Sequence, residues 1–390
     1  MVSKMGAACG HVLACGLMAL GLHVLARAQA DVPMNTALRE EVQMVKKDGV
    51  FATELETTFF RPPGPGPFPV VLINHGKAPG NPRFQPRQRY ELPAHEFLQR
   101  GYMVVVPMRQ GFSKSTGSYI GGGCNVESNG AVQAEDVVSV LNYLKTVPDA
   151  DTSRVLVVGQ SHGGLTTLAF GALNYPGVKG LVNFAGGLRQ DDCPGWQGTL
   201  VRAFKSYASH TKLPSLWFYG DNDSYWQPWH YKEMYRQYQE GGGNARLVAF
   251  GNFGSDAHGM FGARGGLPIW VPEVDAFLDT LGLPHTVLYQ LPVTSHATAP
   301  PSSTGFARID DEKALPRSKE TGQQGYQRFL AAEAPKAFAL STTSTAWAWS
   351  SGNARAMQAA LERCNRSTKD ASCKLYAVDD AVVWDAAATN

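Results

Sequence analysis

Six short β-type runs, most of them unbroken apolar, constrain the fold of this chain more than any other feature. They are Val70–Ile73, Tyr102–Val106 (closed by Pro107), Val155–Val158, Leu181–Phe184, Leu216–Tyr219 and Leu247–Phe250. A strand alternating apolar and polar residues has one wet face, whereas an unbroken run predicts a strand covered on both. Helices between the runs supply the cover. Val137, Val140, Leu141 and Leu144 fall at helical spacing, as do Leu165, Leu168, Ala169 and Ala172, and further helices are predicted over 230–240 and 271–281. Buried strands alternating with helices make an α/β protein, a mostly parallel sheet with helices on both faces. Residues 42–60 read as an antiparallel hairpin at one edge, followed by the turn-rich segment Arg61–Pro67.

The pattern weakens after Leu283. Residues 292–304 are rich in Pro, Ser and Thr and read as linker, within a connecting segment placed at 285–320. A small α+β domain is predicted over 321–390. It has a helix around 326–331, β-like runs at 336–340 and 346–349, a helix over 353–364, and closing strands at 374–378 and 382–384. Its Trp347, Trp349 and Trp384 could form a binding face, but in so small a module they read first as core. The chain carries no convincing internal repeat.

The start of the chain is of another kind. Lys4 precedes an apolar run from Val12 to Ala26, and Ala28-Gln29-Ala30 fits a small-x-small cleavage site. This predicts a signal peptide over 1–30, cleaved after Ala30, with the main domain over 31–284 and export to a periplasmic or secreted location. The run is shorter than the roughly 20 residues a spanning helix needs, so no membrane span is expected after cleavage. Charge matters at this point. The 35 basic residues less Lys4 and Arg27 leave 33, equal to the 33 acids, so the exported chain is formally neutral and charge-driven partners such as nucleic acid are not expected. Cys9 and Cys15 leave with the signal, and four cysteines remain. Cys364 and Cys373 bracket a polar loop, and a local disulfide there suits an oxidising compartment. Cys124 and Cys193 belong on loops at the carboxyl edge of the sheet, which predicts a second bridge shaping a pocket rim. No His/Cys cluster has metal-ligand spacing, so neither metal nor cofactor is expected.

The chemistry centres on Gly159-Gln160-Ser161-His162-Gly163, which follows the third run and opens a helix. In that strand–turn–helix setting Gly-x-Ser-x-Gly lifts the serine to the carboxyl edge, at a helix N-terminus that favours developing negative charge. A serine hydroxyl needs a base, and the base an orienting carboxylate. Two later strand ends supply them in order: Gly220-Asp221-Asn222-Asp223, then Asp256-Ala257-His258-Gly259. Asp223 is favoured over Asp221, which leaves the strand too early, and His258 over His230 and His285. Asp256 is read as serving its own loop. The oxyanion donors expected are the backbone amides of His162 and Lys77, the latter after Asn74-His75-Gly76. His75 is read as structural. About thirty residues between Phe184 and Leu216 leave little for a lid, so the cleft is expected to be open, with Tyr119, Trp196, Tyr225 and Trp226 as possible lining.

Together, Leu72–Gly76, Arg109–Gly117, Gly159–Gly163, Gly220–Asp223 and His258-Gly259 resemble the α/β-hydrolase superfamily, and within it the dienelactone-hydrolase-like branch, over residues 40–283. The resemblance implies the α/β-hydrolase fold. The namesake enzymes use a cysteine nucleophile where this chain has Ser161, so dienelactone itself is not implied. The second unit looks like a small domain of unknown role appended to some secreted bacterial proteins, on Pro335–Ala339 and Leu375–Asp379. The expectation is a secreted serine hydrolase acting on a small-molecule ester, oligomeric state open. A serine peptidase on the same machinery is the alternative; the sequence shows no long propeller-like region ahead of the hydrolase unit, which leans toward esters. A non-catalytic exported binding protein on a hydrolase scaffold is a third reading.

Overall fold

The computed structural model describes residues 34–386 apart from 48, 50–52, 122, 255, 293–297, 333 and 352–353, so the expected signal peptide lies outside the described residues. The first sheet takes its strands in the order β1 (Glu41–Lys47), β2 (Thr53–Phe60), β4 (Met103–Pro107), β3 (Phe68–Asn74), β5 (Ala150–Gln160), β6 (Val178–Phe184), β7 (Ser215–Tyr219) and β8 (Ala245–Ala249). From β4 to β8 the pairing is parallel; β2 runs against both β1 and β4.

Both faces are covered, as the unbroken runs require. On one, Val70, Leu72, Val105 and Val157 pack with α2 (Val126–Leu144), α3 (His162–Gly171), α4 (Trp196–His210) and α5 (Pro228–Glu240). On the other, Val71, Ile73, Val104, Leu156 and Val158 pack with Phe97 of α1 (Glu91–Gln99) and Trp270 and Val274 of α6 (Leu267–Thr280). The sixth run departs from expectation: β8 is only partly buried, because it is an edge strand with one neighbour.

Strand order positions the site. The chain passes from β3 to β4 on one side, and β5 then takes the other side of β3, so strand order reverses there. In a parallel sheet such a reversal opens a crevice beyond the carboxyl ends. Asn74 at the end of β3 pairs with Gly159 near the end of β5, which sets the loop after β3 beside Ser161.

The second sheet is antiparallel, in the order β10 (Trp347–Ser351), β9 (Lys336–Ser341), β11 (Cys373–Val378), β12 (Ala381–Val382). Strand β9 alternates: Phe338 and Leu340 face Tyr326 and Phe329 of α7 (Glu320–Ala331), while Ala337 and Ala339 face α8 (Ala356–Arg366). Trp384 is buried, and Trp347 stacks on Phe338 at 5.8 Å and 5°, so these rings are packing. The connecting segment over 285–320 is pinned at two places. The amides of Leu288 and Tyr289 donate to the Gln99 carbonyl, and Thr304 donates to Val382.

Candidate active site

Ser161 stands between β5 and α3 with φ 57° and ψ −124°, a conformation that costs a non-glycine residue energy and is held by its surroundings. Its amide donates to the Phe184 carbonyl at 2.9 Å, and its own carbonyl accepts from Gly164 at 2.8 Å and Gly187 at 3.0 Å. The flanking glycines are required by space. A β-carbon on Gly163 would lie 1.9 Å from the Asn74 carbonyl oxygen, and one on Gly159 would lie 2.1 Å from that of Gly163.

The loop after β7 carries Asp223, the expected acid, and a short 3-10 helix, Ala257–Gly262, carries His258, the expected base. The Asp223 carboxylate is 1% exposed and lies 3.0 and 3.1 Å from His258 Nδ1. The amides of Tyr225 and Trp226 donate to its Oδ1 at 2.8 and 3.0 Å, so its orientation is locked. Asp221 turns away and accepts from the Tyr231 hydroxyl at 2.8 Å. Asp256 does more than cap its own loop: it accepts from the His258 amide at 2.9 Å and from the Ser224 amide and hydroxyl at 3.0 and 2.7 Å, tying the base loop to the acid loop. His230 is buried against the Gln197 carbonyl and Trp226, and His285 meets the Leu283 carbonyl. The described hydrogen bonds include none between Ser161 Oγ and His258 Nε2, a contact that commonly tightens only with substrate bound.

On the other side of Ser161, Gly76 approaches so closely that a β-carbon there would lie 3.3 Å from Ser161 Cβ. The His162 amide opens α3 and has no intrahelical acceptor. His75 Nε2 accepts from the Arg109 amide at 3.1 Å, so its Nδ1 carries the proton toward the Gly76 carbonyl at 2.6 Å. His75 is therefore structural and neutral; burial first, and the Arg109 charge second, hold its pKa well below the usual value.

A pocket lined by Lys77, Ser161, His162, Leu188, Arg189 and Tyr225 opens above the serine, with Trp226 in its wall. Tyr119 and Trp196, expected as lining, are not among its lining residues. Tyr119 packs on His162 and Phe112, and Trp196 on Trp226 and His230, because each is drawn into an aromatic cluster behind the wall. The Cys124–Cys193 disulfide joins the segment before α2 to the segment before α4, with neither cysteine among the residues lining this pocket, and Cys364–Cys373 ties α8 to β11.

Four residues that residue-by-residue reading did not single out support the centre. Gln160 donates to the His258 carbonyl at 3.1 Å and accepts from the Tyr90 hydroxyl, which in turn accepts from the Gly76 amide, each at 3.3 Å. Arg109 and Asn129 hold the His162 ring at 3.0 and 2.7 Å. One signal was available for Arg109: a charge two residues after a fully buried strand.

Residues 48–211 match the family model described as X-Pro dipeptidyl-peptidase (S15 family), a span holding Lys77, Ser161 and His162 but not Asp223 or His258. No curated protein matches the chain. Among solved structures, the chain is similar to the Pyrococcus furiosus esterase Pf2001, at 16% identity over 65% of this chain and 95% of that one, with TM-score 0.47. It is similar to a Klebsiella pneumoniae protein assigned as a dienelactone hydrolase, at 15% identity over 62% and 98%, TM-score 0.44. It also resembles a puromycin-hydrolyzing peptidase of Mycobacterium tuberculosis, at 19% identity over 65% of this chain and 41% of that one, TM-score 0.48.

Proposed function

We propose that this chain, an α/β-hydrolase by fold, is an exported serine hydrolase that cleaves carboxylic esters by two-step acyl transfer. The observation that carries the reading is the locked Asp223–His258 pair, at 3.0 Å, beside a strained serine that opens a helix. With Nδ1–H donated to Asp223, the His258 Nε2 lone pair is free to act as base. Ser161 Oγ attacks the carbonyl carbon and its proton passes to Nε2. The Lys77 and His162 amides hold the oxyanion. Collapse breaks the ester C–O bond as Nε2 returns the proton to the leaving alkoxide. Water, deprotonated by the same nitrogen, then attacks the acyl-enzyme, and its collapse releases the acid and restores Ser161. Both disulfides support export, since such bonds persist in oxidising compartments. Among the described residues no helix is long and apolar enough to cross a membrane.

A serine peptidase is the second reading, favoured by the family match over 48–211. The test assays the mature protein on short-chain nitrophenyl esters and on aminoacyl and X-Pro anilides, beside Ser161→Ala. Ester turnover is expected to exceed anilide turnover, and the variant to lose at least about 10⁴-fold in kcat. Faster anilide cleavage selects the peptidase; equal rates for wild type and variant overturn both.

A further inference from the structure

Arg109 is 0% exposed, and among the described ion pairs none includes it. Its donors go elsewhere. Nη1 donates to the His75 carbonyl at 2.7 Å, Nη2 to His162 Nδ1 at 3.0 Å and Nε to Gln133 Oε1 at 3.1 Å, while its backbone amide donates to His75 Nε2. A guanidinium only donates, so His162 Nδ1 must accept. The His162 proton therefore sits on Nε2, which donates to Asn129 Oδ1 at 2.7 Å, and Asn129 is fixed in turn by donating to the Gly121 carbonyl at 2.8 Å. One planar cation thus grips both walls of the crevice: the loop after β3, two residues before Lys77, and the first residue of α3.

A buried charge with no carboxylate in hydrogen-bond contact, Asp136 acting on it only through space, is costly, and an apolar side chain of similar volume would serve packing at least as well. What the fork adds is a fixed distance between two loops. Lysine cannot supply it, because a single ammonium lacks divergent donors held in one plane. We propose that Arg109 is a positioning residue that sets the spacing of the Lys77 and His162 amides for the oxyanion, with Asn129 holding the far side of the His162 ring. This rests on the serine-hydrolase reading above.

The test uses the full mature protein with Arg109→Lys and, separately, Asn129→Leu. It measures kcat and KM on the preferred nitrophenyl ester, with active sites titrated by a fluorophosphonate. Arg109→Lys is expected to lower kcat per titrated site about 10²-fold with KM within about threefold, the size of losing or misplacing one oxyanion donor. Asn129→Leu is expected to lower it about tenfold, and decides the matter if Arg109→Lys does not fold. A merely structural arginine would reduce the titratable fraction and leave kcat per site intact; that result, or a loss confined to KM, overturns the proposal. A wild type that neither turns over esters nor reacts with the fluorophosphonate overturns the underlying reading as well. An active wild type with dead Ser161→Ala and unaltered variants overturns only the role of Arg109.

Discussion

Three histidines gather around Ser161 in the fold, and the same ring meets opposite partners. His258 faces the Asp223 carboxylate through Nδ1. His75 and His162 face Arg109, and burial together with that charge holds both pKa values well below the usual histidine range. A carboxylate accommodates an imidazolium, whereas a buried guanidinium opposes one. The partner, rather than the ring, makes His75 and His162 neutral struts.

The sharpest way to break this contrast is to neutralise the carboxylate. Asp223→Asn should lower kcat by about 10⁴-fold, since the amide favours the wrong His258 tautomer. Asp221→Asn, whose carboxylate meets Tyr231 instead, should lose less than about threefold. Steady-state ester kinetics on both variants check this; comparable losses would remove the distinction between the two aspartates.

The struts should show themselves in stability. Their folded pKa values are depressed below the ordinary histidine value of 6.5, so the unfolded chain binds more protons as pH falls beneath it. Stability should therefore rise with pH up to about 6.5 and be lost on acidification, at up to about 1.4 kcal/mol per pH unit for each ring. Urea unfolding at pH 5.5 and 7.0 measures it, and His162→Gln should remove roughly half of the two rings' share. An unchanged pH slope in that variant would show that His162 takes its proton as readily folded as unfolded.

A more modest loss than at Asp223 is expected at Asp256, which joins the His258 loop to the Asp223 loop without touching the imidazole. Asp256→Ala should lower kcat about tenfold with the pH profile unmoved, whereas a shifted profile would show direct action on His258.

Much of the site was legible in the chain because each element announces itself locally. Gly159–Gly163 follows a buried run, and Asp223 and His258 follow later strand ends in the order the architecture demands. The choice between Asp221 and Asp223 was harder, since both leave the same strand; the turn of Asp221 toward α5 separates them. Arg109, Asn129, Gln160 and Tyr90 carry no shared spacing, since they come from four separate segments that meet only at the crevice. Tyr119 and Trp196 were expected on loops as pocket lining, but Trp196 opens α4 and neither ring lines the pocket, because position along the chain does not state which way a ring packs.

By itself the sequence determined the strands covered on both faces, the helical periods that cover them and the tight strand-to-helix turn at Ser161, each written in a pattern of a few residues. Tertiary structure alone decided what lies beside that turn. Arg109 reaches His75 across 34 residues and His162 across 53, a meeting set by the reversal of strand order between β3 and β5. Hydrophobic period is a local property, whereas the spacing between the loop after β3 and the start of α3 depends on which strands pair, and that is settled only when the whole sheet forms.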